Sequence, residues 1–477
     1  MKRSRWTWLW IGLLLAAACA RPKAAPTRRL PVGDGIWFED GLGESDSEVE
    51  NTIVRAGISW VFYPACRVAY GEGWNATPAP PPPRPFAHLP VFLVVSSDEG
   101  SGGVFPRGDS SVAALDNAIW LAVKTAIQDS RRYGTIGGVH LDLPFAAGEE
   151  AAYAKLVAGL RKKMPSTILL SLSLRSTPAT PPGDGLKALL QSCDGLVAFV
   201  AGIGSLADPV ATDSLEKSWW AGFAPAARGT WTSAGGENRG PLPELVLARL
   251  SNDTRVKFLQ DLALKDTSDA SYTLVPREPV SLPGYSFQAG DRLNFHQPIL
   301  SDVLYELGAG IAGRRFVRGR VLSLPGRLET DRILTLEAIA QVLAGKPSLV
   351  VLHVTAEAGK GSVDVDVENV SPHPSIMSAM SNWVEVEIPN GGIREVQTGG
   401  FDRFEVFGPD RNPVTLGRAT AVRFYETLVS GHEKIDRARI LLRGAPPQDC
   451  CTVHYHVLSA SGQEVTSEAP MPTPERK

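Results

Sequence analysis

Chemistry that shows itself in short motifs is missing from this 477-residue chain. It has no HExxH helix to hold zinc and no GxSxG turn to carry a nucleophile, which argues against metalloprotease and α/β-hydrolase mechanisms. No glycine-rich loop follows the first apolar run, so the phosphate cradle of dinucleotide-binding folds is absent. An excess of one charge is lacking too. The 48 Lys and Arg face 51 Asp and Glu, the net charge is −3, and no basic stripe gives a nucleic-acid partner its footprint. No apolar run approaches the roughly 20 residues that span a bilayer. The run Trp6 to Ala18 stops at Cys19, with Arg21 and Lys23 just beyond.

Cysteine is scarce, at 5 residues. Cys450 and Cys451 are adjacent and lack CxxC spacing, and the nearby His454 and His456 alternate with Val453, Tyr455 and Val457 as residues of a strand do. Neither a metal nor a cofactor is expected from them. A bridge between Cys66 and Cys193 is open, since an oxidising compartment permits it but sequence does not place their Cα atoms.

The N-terminus has the three parts of an export signal: Lys2, Arg3 and Arg5, then the apolar run, then small residues. Leu15-Ala16-Ala17-Ala18-Cys19 resembles a bacterial lipobox, with Ala16 where that motif prefers leucine. The resemblance implies cleavage before Cys19, lipid on its sulfur, and a membrane-anchored protein of the cell envelope, on the periplasmic side or at the outer membrane. A plain secretory signal cut nearby is the alternative. Residues 1–19 are thus read as signal and the basic, proline-bearing 20–33 as a tether.

From Gly35 the pattern alternates short apolar runs with helical stretches. Gly35–Phe38, Gly57–Tyr63, Leu89–Val95, Ile136–Asp142, Thr167–Leu174 and Gly195–Val200 read as buried parallel strands. Amphipathic helices are expected near Val112–Arg132 and Glu149–Lys163. Strand and helix at this spacing predict an α/β fold, a (β/α)8 barrel of TIM type over 34–344, in preference to an open doubly wound sheet. Leu245–Leu250 and Ser271–Val275 are the expected seventh and eighth strands, 217–240 a long loop or irregular unit, and helix 328–344 the closing element. The polyproline run Pro80–Pro83 is a stiff loop between the second and third strands. Beyond Lys346 the apolar period becomes two, in Leu349–Val354, Ser362–Glu368, Trp383–Ile388, Arg403–Phe407 and Cys451–Leu458. This predicts an all-β immunoglobulin-like sandwich over 345–462, followed by a disordered tail, 463–477.

In a parallel barrel the functional residues stand where strands end. Those ends are Glu39 and Asp40, Tyr63, Asp98 and Glu99, Asp142, and Arg175. Asp142, Glu39 and Asp98 are the candidate catalytic acids. Trp37, Tyr63, His140, Arg175 and Trp220 are the candidate substrate-binding residues, with Trp74, Trp219 and Trp231 as further flat faces for sugar rings. Strand ends are ordinarily polar, however, and tryptophans are ordinarily core.

Gly137-Gly-Val-His-Leu-Asp-Leu-Pro144 is similar to the fourth-strand motif of chitinase-type glycoside hydrolases, in which alternate aspartates lead to a glutamate that protonates the leaving oxygen. The chain also resembles an uncharacterised family of secreted, barrel-like bacterial proteins in Ala152–Arg161, Leu170–Leu174, Pro283–Asp291 and Val367–Ser371. Aligned on Asp142, the hydrolases' acid falls at Pro144 and an inner aspartate at His140. Proline has no proton to give, so the general-acid role is not filled from this strand. The resemblance implies a partner that is a carbohydrate or cell-wall glycan. Three functions remain open: an envelope lipoprotein whose glycosidase-like barrel binds or processes carbohydrate, with a degenerate site; an active glycoside hydrolase with acids from several strands; and a non-catalytic envelope protein whose sandwich binds another protein.

Overall fold

Runs rich in Val, Ile, Leu and aromatics, punctuated by glycine and proline, become eight parallel strands. They are β1 (Asp34–Phe38), β2 (Ile58–Tyr70), β3 (Phe86–Ser97), β4 (Gly134–Asp142), β5 (Leu169–Leu174), β6 (Gly195–Gly202), β7 (Trp219–Ala224) and β8 (Val317–Leu324). The computed structural model describes residues 30–470 apart from 44–48, 71–72, 98–107, 146–147, 176–177, 179–181, 203–206, 225–227, 243–261, 269–270, 283–284, 297–299, 325–334, 347–348, 377, 379, 390–391, 445–450 and 461. Each strand pairs with the next, and β1 pairs with both β2 and β8, Trp37 lying opposite Phe62 on one side and Ser323 on the other. The sheet is therefore a closed ring, not an open doubly wound sheet. Helices α1 (Val49–Arg55), α2 (Asp109–Gln128), α3 (Glu150–Lys163), α4 (Asp184–Ser192), α5 (Pro209–Asp213), α6 (Leu300–Ile311) and α7 (Leu336–Leu343) follow the strands. Between β2 and β3 the chain turns back as the strand Trp74–Pro78, antiparallel to β2, and then runs through the prolines.

Alternation along each strand sorts its side chains into two cores. Ile36, Phe38, Tyr63, Leu93, Leu141 and Leu172 point outward to the helices. Trp37, Trp60, Phe62, Phe92, Phe199 and Trp220 point inward and fill the barrel. Such bulk fits only where a neighbouring strand is bare: a Cβ on Gly138 would lie 2.3 Å from a ring carbon of Phe92. That ring cannot swing aside, because Phe62 stacks on it at 5.0 Å and Trp220 meets it edge-on at 5.3 Å.

The seventh and eighth strands differ from those expected. Residues 245–250 lie outside the described residues, and Ser271–Pro276 belongs to an antiparallel sheet inserted between β7 and α6, in the order Asn238–Leu242, Arg228–Thr232, Arg292–His296, Ser271–Pro276, Leu262–Ser268. The barrel strand β7 comes instead from 217–240, the stretch expected to be a long loop or an irregular unit of strand and loop. The closing helix is described from Leu336, where Thr335 caps it by accepting from Ala338 N at 3.1 Å.

The C-terminal part is a sandwich of two antiparallel sheets. One is Leu352–Ala358, Ser362–Asn369, Lys434–Leu442 and Ile393–Gln397; the other is Arg403–Phe407, Ala421–Tyr425, Trp383–Glu387, Thr452–Leu458 and Glu464–Pro470. Inward-facing Val363, Val365, Val386, Phe424, Ile440 and Val453 make its core. Glu464–Pro470 is a strand on Thr452–Leu458, where an unstructured tail was expected: its polar residues suit an edge strand with one face in water. Cys66 and Cys193 are separate buried thiols, pushed by burial up to about 12 and about 11, so they form no bridge. Among the described residues no group could hold a metal ion, and no helix is long and apolar enough to cross a membrane.

Gly138→Ala is expected to lower stability by about 1–3 kcal/mol through overpacking. Phe92→Leu in the same chain should recover part of that loss. Denaturant unfolding of both single variants and the double variant reads the coupling, and additive losses would contradict the proposed clash.

Candidate functional site

The barrel interior turns polar along one arc, on β4 and β5. In Val139-His-Leu-Asp142 the aliphatic residues face the helices, and His140 and Asp142 face in; in Leu170-Ser-Leu-Ser-Leu174 the serines face in. The parallel register sets His140 beside Ser171. His140 is fully buried, its Nδ1 at 2.9 Å from Ser171 Oγ and its Nε2 at 2.9 Å from Ser173 Oγ. Trp37 and Phe62 meet its ring edge-on at 4.9 and 5.3 Å. Burial pushes the imidazole down to about 3, an effect Asp142 opposes, so His140 is neutral at pH 7.

Above it, at the carboxyl ends of β4 and β5, Arg175 grips Asp142 with two bonds, Nε to Oδ1 at 3.1 Å and Nη2 to Oδ2 at 2.9 Å. The Arg175 guanidinium lies 4.3 Å over the Phe199 ring and its side chain is 46% exposed. Burial alone would raise the Asp142 carboxyl, but the charge and bonds of Arg175, with a bond from Ser173, hold it below the usual carboxylate range. Ser171 and Ser173 each share a hydrogen bond with one imidazole nitrogen, and the neutral ring donates in one of the two and accepts in the other.

Glu39, just past β1, completes the group. Its carboxyl is raised, chiefly by burial, against the pull of a hydrogen bond from Ser323 and of the nearby Arg175 charge; Asp142 and Asp40 push it higher still. Two carboxyls at one mouth are therefore driven apart, Glu39 toward the protonated form and Asp142 toward the ionised one.

The structure brings together Glu39, Asp142, Arg175 and His140, but not the expected aromatics. Trp37 is buried beneath the mouth. Trp220 is fully buried deeper in the barrel, beside Trp60 at 5.5 Å. Tyr63 points out of the barrel, its hydroxyl accepting from Leu42 N at 3.2 Å. Trp219 also faces the helix layer, donating to Asp213 at 3.2 Å, and Trp231 is bonded to Asp291 at 2.9 Å in the inserted sheet. Trp74 packs against the outer core with the Trp74–Pro78 strand. The reason is common to most of them: an aromatic on a strand buried on both faces is core whichever way it points. Asp40 pairs with Arg67 at 2.6 Å, and Asp98, Glu99 and Cys19 lie outside the described residues. Ser171, Ser173 and Ser323 were missed, although their alternate positions in leucine-rich strands mark them as inward-facing.

No protein-family model matches the sequence, and no curated protein matches it. Among solved structures the chain is similar to the Bacillus cereus spore cortex-lytic enzyme SleL, at 12% identity and TM-score 0.37 over 67% of this chain and 74% of that one. It is similar also to a class V chitinase from Pseudomonas fluorescens Pf-5, at 12% identity and TM-score 0.33 over 61% and 94%. A third is a GH30 endoxylanase from Clostridium papyrosolvens C71, at 8% identity and TM-score 0.32 over 85% and 98%. Likeness at this level says nothing of activity.

Two measurements check the electrostatics. Nitrogen shifts of His140 are expected to report a neutral ring without titration between mildly acid and mildly basic pH; a change near the ordinary histidine value would contradict its burial as a neutral imidazole. A carboxyl raised in the folded state lends its stability below the unfolded value and loses it as pH rises through the folded one. Glu39→Gln should therefore stabilise the protein at neutral pH, with the gain vanishing below the ordinary carboxylate range. Urea unfolding across that range reads it, and a gain independent of pH would refute it.

Proposed function

We propose that this chain is an envelope lipoprotein, anchored through Cys19, whose barrel mouth binds carbohydrate without cleaving it. The observation that carries the sugar reading is the grouping of Glu39, Asp142 and Arg175 at one accessible opening. A carboxyl raised by burial, a carboxylate held low by Arg175 and a half-exposed guanidinium offer polar partners to several hydroxyls at once. Two features favour binding over cleavage. Pro144 stands where the resembling hydrolases keep their acid, and the Asp142 carboxylate is already held by both prongs of Arg175. Recognition here is polar, since Trp37 and Trp220 are buried and present no ring to the mouth.

One observation favours a second reading, an active glycoside hydrolase. Carboxyls whose environments push them in opposite directions mark an acid and its ionised partner, and Glu39 and Asp142 are so divided.

A glycan array probed with the mature chain tests both. Binding to at least one envelope or cell-wall glycan is expected, with Arg175→Ala weakening it about tenfold or more through loss of a charged hydrogen bond. Unchanged binding in that variant, or no glycan bound, would remove the sugar reading at this mouth. Turnover of a bound glycan that disappears in Glu39→Gln would replace the first reading with the second.

A further inference from the structure

Because all eight barrel strands are parallel, their amino ends share one face, the floor, opposite the mouth. The chain enters the barrel there. Leu30 is 2% exposed among the inward-facing residues, and a Cβ on Gly195, the first residue of β6, would come within 2.2 Å of its side chain. Three residues on, Gly33 N bonds Arg318 O at 2.8 Å beside the start of β8. Cys19 is eleven residues before Leu30, so even full extension, at roughly 3.3–3.6 Å per residue, keeps it within about 40 Å of the floor.

The floor is also charged. The segments that feed β2 to β8, residues 55–57, 82–85, 129–133, 161–168, 193–194, 213–218 and 312–318, hold eleven Lys and Arg against four Asp and Glu, in a chain whose net charge is −3. Arg55, Arg84, Arg131, Lys162 and Arg315 are exposed there. At the mouth end, by contrast, α2, α3 and α4 begin with Asp109, Glu150 and Asp184. Helix dipoles favour cations at helix ends over the floor, but Arg84, Arg131 and Arg315 stand outside the α-helices, Arg131 in a single 3-10 turn. In sequence, residues 20–33 carry Arg21, Lys23, Arg28 and Arg29 and no acid.

We infer that the barrel floor is a membrane-facing surface that docks on anionic phospholipid headgroups, so that the Glu39–Asp142–Arg175 mouth points away from the bilayer. The inference rests on the lipoprotein reading for the anchor that brings the floor to the membrane; the floor's own charge does not depend on it. A cation close to an anionic leaflet strengthens attachment by about a factor of five, and screening confines the effect to within about 8 Å at physiological salt. A floor lying flat engages many such cations together.

The test uses the mature chain from residue 20, made without lipid and sedimented with vesicles of phosphatidylglycerol mixed with phosphatidylcholine or of phosphatidylcholine alone. Binding is expected only to the anionic vesicles, with loss at high salt. The triple variant Arg84→Glu, Arg131→Glu, Lys162→Glu is expected to bind at least about a hundredfold more weakly, while Asp109→Lys with Asp184→Lys at the mouth end leaves attachment within a few-fold of wild type. Thermal unfolding of each variant guards against misfolding; if the triple variant is destabilised, Arg84→Gln, Arg131→Gln, Lys162→Gln takes its place. Equal binding to neutral vesicles, or wild-type binding by the floor variant, would overturn the inference. Mass spectrometry of the N-terminal peptide from membrane-extracted protein reads lipidation separately. A peptide without acyl chains sinks the anchor and leaves the vesicle result to judge the floor.

Discussion

A ring of eight strands encloses a fixed volume, and the side chains that point into it must fill that volume and no more. Here it is filled with rings. Trp60, Phe62, Phe92 and Trp220 pack on one another, and Trp37 packs against Phe62 and Phe199. The glycine at 138 leaves the space the Phe92 ring takes. The consequence is spatial: Trp37, Phe62, Trp220 and His140 are buried, so among the described residues the mouth exposes the ends of strands and the residues just past them, not the aromatic interior. Glu39, Asp142 and Arg175 stand above that closed packing.

Within that packing, β4 and β5 introduce polar groups, and each is bonded to another. Ser171 and Ser173 hold His140 in the buried interior, and Arg175 holds Asp142 nearer the surface. A buried imidazole among aromatics is costly if charged, which is why His140 is neutral and can both donate and accept. Arg175 then acts on two acids unequally. It bonds Asp142 directly, whereas Glu39 feels its charge and has its hydrogen bond from Ser323. The difference in contact, more than any difference in residue type, separates the two carboxyls.

Six of the barrel strands were legible because each is an apolar run between turn residues. β7 was not: Trp219 to Phe223 are buried on both faces, and the run is too short for a helix and lacks the polar–apolar alternation of a half-wet strand. β8 carries Arg318 and Arg320 at its start, which obscures the run. Arg320 bonds Asp34 at the start of the neighbouring strand β1, Nε to Oδ2 at 2.9 Å. The inserted sheet misled in the opposite sense, since Ser271–Pro276 alternates well and is a strand, but of another sheet. At the mouth, Asp142 and Arg175 were visible as polar ends of apolar strands. The aromatics were not placeable, since strand alternation assigns two faces without saying which is inside; only the closed ring settles that Tyr63 looks out and Phe62 looks in.

The same parallelism that gathers these groups makes the two ends of the barrel chemically unlike. Where a crossover returns the chain in a helix, the helix has its amino end at the mouth and its carboxyl end near the floor, so acids are favoured above and cations below. Asp109, Glu150 and Asp184 above, and Arg161, Lys162 and Lys163 below, follow that bias. The direction from floor to mouth is thus written into the topology, and Leu30 ties the start of the chain to its lower end. Any attachment through residues just before Leu30 therefore acts on the floor, and moving it to the mouth would require a different order of strands, not a different set of side chains.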